Sequence, residues 1–266
     1  MGIRYEKDGA IATITIDNGK VNAFTPEMHR EMYDVMKDFV ADRSVHVGIL
    51  TGAGERAFCG GDDIKNPNGV QSHADALTAH FYPSTDADDH LRPGWERDIR
   101  QIERYKPIVG AINGPAAGMG FIYMMNLTDI RIGTPRSFLS LPEIAYGMAG
   151  AGGSTQLARH VPPTVAMWML LTGERLPAED ALKYALYNEI VEPEALMARA
   201  REIAELIARH PPLSVRVEME VTKKAMELPR AEAVNLSGHL YRLQRATFAA
   251  RGEHGGTPLA NAERAE

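Results

Sequence analysis

The chain predicts an α/β fold, a strand–helix core followed by a helical C-terminal part, on three observations. Buried-looking apolar runs alternate with amphipathic stretches through the first half. Two of those runs lead directly into glycine-rich loops, and the last third of the chain carries amphipathic helical patterns alone. At 266 residues the chain is long enough for one large domain, or for one domain with a smaller appendage.

In chain order, "AIATITID" alternates apolar and small polar residues and predicts a strand. Thr25 then offers a capping hydroxyl and Pro26 a ring that needs no donor, so a helix starts there. Met28, Met32, Val35, Met36 and Phe39 follow at helical spacing and mark its buried face. The runs "VHVGILTG" and "KPIVGAIN" predict buried strands, the second entering an apolar helix near Met119. Between them, 66–96 is rich in Asp, His, Pro and Ser and reads as a long loop with a short helix, a lid or binding segment. "DIRIGT" and "SFLSL" predict strands, and helices are expected over 164–171, 178–186 and 193–210. Pro211 and Pro212 break the chain before two more helices, over 214–228 and 231–251, and the closing "RGEHGGTPLANAERAE" reads as frayed.

Net charge is −6, with basic and acidic residues interspersed, which excludes the basic stripe of a nucleic-acid binder. No run approaches a membrane span, and the charged N-terminus lacks the apolar core of a signal peptide. One cysteine, Cys59, permits no internal disulfide, and a cytoplasmic location is expected. Its thiol has no histidine placed to activate it and reads as a small buried group.

The glycine loops, "GAGERAFCGGDDIK" and "GPAAGMGF", lack the lysine–hydroxyl pair of a P-loop and the spacing of a dinucleotide fingerprint. Asp62 and Asp63 are adjacent, so they do not converge on one ion. His73, His80 and His90 lack ligand spacing, and no metal is expected. Glycines let backbone approach a ligand, and a helix start carries unpaired N–H groups. Two such loops can aim one N–H each at a single carbonyl oxygen, forming an oxyanion hole. Glycines that serve only tight turns give the same pattern.

"AFCGGDDIK" resembles the A-F-x-A-G-A-D-[IL]-K loop of the crotonase (enoyl-CoA hydratase/isomerase) superfamily, and "KPIVGAINGPAAGMGF" resembles its second glycine block. "SFLSLPEIAYGMAGAGGSTQL" and "MLLTGERLPAEDALKYALYNEIV" are similar to two further ordered blocks. The resemblance implies a crotonase-like spiral of ββα units over 1–195 holding an acyl-CoA site. It implies a C-terminal helical region, 196–266, used in assembly of a homotrimer or dimer of trimers. It further implies an acyl-CoA thioester substrate and no separate cofactor, coenzyme A being part of that substrate.

Carried over by position, the resemblance makes the Asp62 and Met119 backbone N–H groups the oxyanion donors. It sets Gly61, Asp63, Ile64, Lys65, Gly118 and Ile122 around the thioester and the coenzyme, with Lys20 near the phosphates. Glu143 matches one of the family's two glutamates, and the other falls on Ile122, which cannot carry a proton. Met119 stands where glycine is usual, and the basic C-terminal segment of the family is missing. "FLSLPEIAYGMAG" is otherwise uncharged, so the Glu143 carboxyl is expected to titrate high and to act as the general acid/base.

The expected reaction is hydration of an enoyl-CoA with one glutamate. Isomerisation of a 3-enoyl-CoA and hydration–cleavage of an aryl-enoyl-CoA are the alternatives, the last with Tyr82 or Tyr241 as candidates for a phenolic end. A non-catalytic acyl-CoA-binding homologue is the rival of another class. A further possibility is that Asp62 or a lid histidine replaces the missing acid and supports hydrolysis or decarboxylation.

Overall fold

Thr25 caps the first helix, its side chain accepting from the Met28 N–H, and Pro26 occupies the first turn. That helix belongs to a computed structural model describing residues 1–64, 72–86, 89, 94–150 and 152–250, the Ala76 side chain excepted. Lys65, His90 and the closing 251–266 segment lie outside the described residues.

The elements in chain order are β1 (Gly2–Asp8), β2 (Ile11–Asp17), α1 (Pro26–Ala41), β3 (Val47–Gly52), α2 (His73–Phe81) and α3 (Trp95–Gln101). There follow β4 (Ile108–Ile112), β5 (Ala116–Ala117), α4 (Met119–Leu127), β6 (Ile130–Gly133) and β7 (Phe138–Ser140). A 3₁₀ turn (Pro142–Tyr146) precedes α5 (Gly153–His160), α6 (Pro163–Thr172), β8 (Leu176–Pro177), α7 (Ala178–Lys183) and β9 (Glu189–Ile190). A second 3₁₀ turn (Pro193–Ala195) leads into α8 (Leu196–Ala208), α9 (Pro212–Ala225) and α10 (Arg230–Ala250).

Among the described residues the strands form a sheet in the order β1-β2-β3-β4-β6-β9 and a smaller one in the order β5-β7-β8. From β2 to β9 the large sheet is parallel, which requires covering on both faces. Its period-2 alternation supplies both faces. Ala12, Ile14, Ile16, Ile108 and Ile112 meet the α1 methionines and α4, while Ile11, Val47, Ile49, Val109 and Ala111 meet Leu196, Ala200 and Ala204 of α8. The turns that begin with β4 and β6 each contribute a strand to the large sheet, a short strand to the small one, then a helix. β4–β5–α4 is the clearest such unit, and the result is the crotonase-type spiral of ββα units.

Three departures from the sequence reading have physical reasons. β1 was not expected, because "GIRYEKD" presents charges on one face. It is an edge strand paired to β2 alone, with Gly9 turning the hairpin at φ +59°. α7 stops at Lys183, short of 186, because Ala185 adopts φ +59°. The double proline does not delay the next helix: Pro212 is its first residue, where a missing N–H costs nothing. α9 buries no side chain and α10 only Phe248, and the two pack mainly on each other.

Candidate active site

Asn22 fixes the first glycine loop. It is fully buried at φ +52°, and its Nδ2 donates to the Ala53 and Ala57 carbonyls, both at 2.9 Å. The loop then lies between two stretches of chain. The Phe24 N–H donates to the Gly61 carbonyl (2.8 Å) and the Asp63 N–H to the Phe24 carbonyl (2.8 Å). On the other side the Ala117 N–H donates to the Cys59 carbonyl (2.9 Å). The second loop is held in turn by the Gly118 N–H on the Ser140 carbonyl (3.0 Å).

This lateral pairing brings the two loops into contact at their glycines. Gly61 has φ +98°, and a Cβ on it would lie 3.0 Å from the Ala117 carbonyl oxygen and 3.5 Å from the Met119 nitrogen. Gly118, at φ +52°, is the N-cap of α4, and a Cβ there would lie 3.1 Å from Glu143 Oε1. Neither position accepts a side chain without strain or crowding. Met119 opens α4, so its N–H has no partner inside the helix. Among the described residues, neither the Asp62 N–H nor the Met119 N–H has an acceptor.

Glu143 sits in the first 3₁₀ turn, half-buried, and its Oε2 is buried with no hydrogen-bond partner. Burial pushes its carboxyl above the ordinary glutamate range. The negative charge of Asp62 adds to that, while its own backbone N–H opposes it. The same carboxylate borders a cavity of about 230 Å³ walled by Leu141, Ile144, Met167 and Leu170. The sequence expectation for Glu143 therefore holds in direction, with Asp62 as a contributor that the local run did not reveal.

The structure also assembles polar groups that sequence reading missed. Asp62 Oδ1 lies 3.0 Å from His29 Nε2, and His29 Nδ1 lies 2.6 Å from the Tyr123 hydroxyl. Phe24 stacks on the imidazole, with ring centroids 4.8 Å apart. The only hint in sequence was a histidine set against the methionine stripe of α1. Ile122, nominated beside the thioester, is a fully buried apolar wall residue. Arg100 of α3 reaches the same wall. A Cβ on Gly152 would meet Arg100 Nη1 at 2.4 Å and Ile122 Cδ1 at 3.7 Å. α3 is too short for its periodicity to announce which side chains turn inward.

Other nominated residues lie further out. Lys20 is exposed beside Val21, whose carbonyl accepts from the Gly60 N–H at 2.8 Å, and Ile64 is exposed next to Asp63. Tyr82 and Tyr241 are largely exposed. Cys59 is fully buried, and burial pushes its thiol up to about 12, which disfavours the thiolate that a nucleophile needs. Among the described residues no His/Cys/Asp/Glu group of metal-binding geometry occurs, and no helix is long and apolar enough to cross a membrane.

Comparison with known proteins gives the family. The family described as enoyl-CoA hydratase/isomerase matches residues 6–251. The chain is 33% identical to the (E)-benzylidenesuccinyl-CoA hydratase of Thauera aromatica, over 93% of this chain and 92% of that protein. It is 34% identical to the carnitinyl-CoA dehydratase of Proteus mirabilis (strain HI4320), over 86% and 82%. The crystal structure of an enoyl-CoA hydratase/isomerase from Mycobacterium paratuberculosis superposes with a TM-score of 0.78 at 27% identity, covering 96% of this chain and 97% of that one. With the two glycine loops joined and a lone carboxyl facing them, the chain belongs to the enoyl-CoA hydratase/isomerase family and is an enzyme acting on acyl-CoA thioesters.

Proposed function

We propose that the enzyme hydrates a 2-enoyl-CoA, with Glu143 as its one acid/base and the Asp62 and Met119 N–H groups as its oxyanion hole. One observation carries the reading: the Glu143 carboxyl, its Oε2 unpartnered, faces the junction of two glycine loops at which the Asp62 and Met119 N–H groups have no acceptor among the described residues. The thioester oxygen accepts from both N–H groups. Glu143 takes a proton from water as the water oxygen bonds to C3, and the C2–C3 π electrons move to form the enolate held in the hole. The proton then returns from Glu143 to C2. Lys20, Asp63 and Ile64 border the coenzyme, which arrives with the substrate, and α9 and α10 supply surface for a trimer.

Asp62 does not stand in for the acid missing at Ile122 in this reading. Its carboxylate is engaged by His29, and its charge serves to keep Glu143 protonated to higher pH. A second reading, isomerisation of a 3-enoyl-CoA, is favoured by the apolar Ile122 wall, since a single shuttling base suffices there. Turnover of 2-enoyl- and 3-enoyl-CoA by wild type and Glu143→Gln decides between them. Hydration of the 2-enoyl substrate that falls at least ~10²-fold in the variant supports the proposal. Undiminished turnover removes Glu143 from the mechanism, and conversion of the 3-enoyl substrate alone supports isomerisation.

A further inference from the structure

Arg100 is a cation for which the chemistry above has no use. Its Nε donates to the Glu96 carbonyl at 3.2 Å, and the rest of the guanidinium extends to the seam between Gly152 and Ile122. Among the described residues no carboxylate lies within ion-pairing distance of it. The anion one turn earlier on α3, Glu96, folds back over Gly94 instead: a Cβ there would lie 1.9 Å from Glu96 Oε2. The Tyr123 hydroxyl, which feels the Arg100 charge, is taken by His29. A half-buried guanidinium left with free donors at an apolar wall is costly unless an anion completes it.

Its position says which anion. Gly152 lies in the turn between the Glu143 segment and α5, and Ile122 lies one helical turn into α4 from the Met119 N–H. The guanidinium therefore stands on the acyl side of the oxyanion hole, whereas the coenzyme side is bordered by Asp63, Ile64 and Lys20. A planar fork of N–H donors matches a carboxylate in two parallel hydrogen bonds, which a lysine cannot reproduce. Gly152, at φ +115°, leaves the space through which the fork reaches the seam.

We propose that Arg100 is the specificity residue of this site and binds a carboxylate on the acyl group. The substrate is then a monothioester of a dicarboxylic acid. This rests on the reading of the site as an acyl-CoA pocket and adds the class of acyl group it takes. The second charge also fixes the orientation of the acyl chain, holding C2 and C3 against Glu143 from the end opposite the coenzyme.

The test is equilibrium binding, which needs no turnover. Succinyl-, glutaryl- and adipyl-CoA are titrated by calorimetry against butyryl-, pentanoyl- and hexanoyl-CoA, using wild type, Arg100→Met and Arg100→Lys. For at least one chain length the wild type is expected to bind the carboxylated thioester about 10- to 100-fold more tightly than its neutral partner, the range of a charged hydrogen-bonded pair. Arg100→Met brings that ratio to about one or below, and Arg100→Lys restores part of it. No preference in the wild type at any length, or a preference that survives in Arg100→Met, overturns the proposal. Circular dichroism of the two variants checks that each is folded. Binding preference without hydration of any 2-enoyl-CoA would leave Arg100 in this role while removing the hydratase reading, so the two fail separately.

Discussion

Replacing Gly120 by alanine should disable the site without touching any group that reacts. A Cβ at this position, in the first turn of α4, would lie 2.4 Å from the Cys59 carbonyl oxygen and 2.7 Å from the Cys59 Cβ. Neither neighbour is the free end of a flexible side chain. Ordinary contact needs about 3.5 Å, so helix and loop must part by roughly 1 Å. That displacement falls on the pairing of the Ala117 N–H with the Cys59 carbonyl, the bond that registers one glycine loop against the other. Overpacking of this kind costs about 1–3 kcal/mol, or a fall in Tm of roughly 3–10 °C for a domain of this size. A misplacement of 1 Å at a reacting centre lowers turnover on the order of 10²-fold. Gly120→Ala is therefore expected to remain folded, to melt several degrees early and to lose about two orders of magnitude in kcat. Gly54→Ala is the control, since nothing lies within 4 Å of its Cβ and only the cost of positive φ remains. The assay is steady-state hydration of a 2-enoyl-CoA together with thermal denaturation. A Gly120→Ala enzyme with kcat within twofold of wild type would refute the contact between loops as the basis of the site.

Three more outcomes follow from the same structure. Asp62→Asn removes a charge that raises Glu143, so the acid limb of the kcat/KM–pH profile should move to lower pH; an unmoved limb excludes Asp62 as its source. His160 is pushed down to about 4 from 6.5 by burial, with Arg131 and Arg159 adding repulsion, so the folded state binds fewer protons than the unfolded one across that window. Stability should fall as pH drops from 6.5 toward 4, by less than about 3 kcal/mol because the ring is partly solvated, and denaturant titrations of His160→Asn should lack that slope. Arg104→Met leaves Asp129, held at 2.6 and 3.1 Å by that guanidinium, with Lys223 as its remaining cationic partner. It should cost about 3 kcal/mol by chemical denaturation, and a loss under 1 kcal/mol would show that Lys223 suffices.

The fold was legible where periodicity and punctuation agreed. The Thr25–Pro26 start, the methionine face of α1 and the buried strands β3 and β4 all carry local signals that tertiary packing then uses. β1 was not, because an edge strand needs only one apolar face and its charges read as loop. At the site, Glu143 stood out as a carboxylate in an uncharged run, and the glycine loops stood out by pattern. What escaped was long-range pairing. Nothing local ties His29 to Asp62 and Tyr123, nor sets Arg100 against Gly152 and Ile122, since each contact joins a different turn of the spiral. Asp62 shows the same: in sequence it is a donor amide and a possible stand-in acid, whereas in space its carboxylate meets His29 and adds to the upward push that burial gives Glu143.

The lateral hydrogen bonds that join Gly60 and Gly61 to Val21 and Phe24, Ala117 to Cys59, and Gly118 to Ser140 make the proposed oxyanion hole a seam stitched across successive coils of the chain. No single coil contains it, and each stitch closes a loop of tens of residues, an entropic cost met only once the neighbouring coil is in place. Competence for chemistry is thus a property of the finished winding. In refolding, helical signal returns with the local segments, whereas turnover waits for the last coil to be laid down. The active site is in this sense the closing fastener of the fold, and the first coil to peel away on denaturation takes the whole of it.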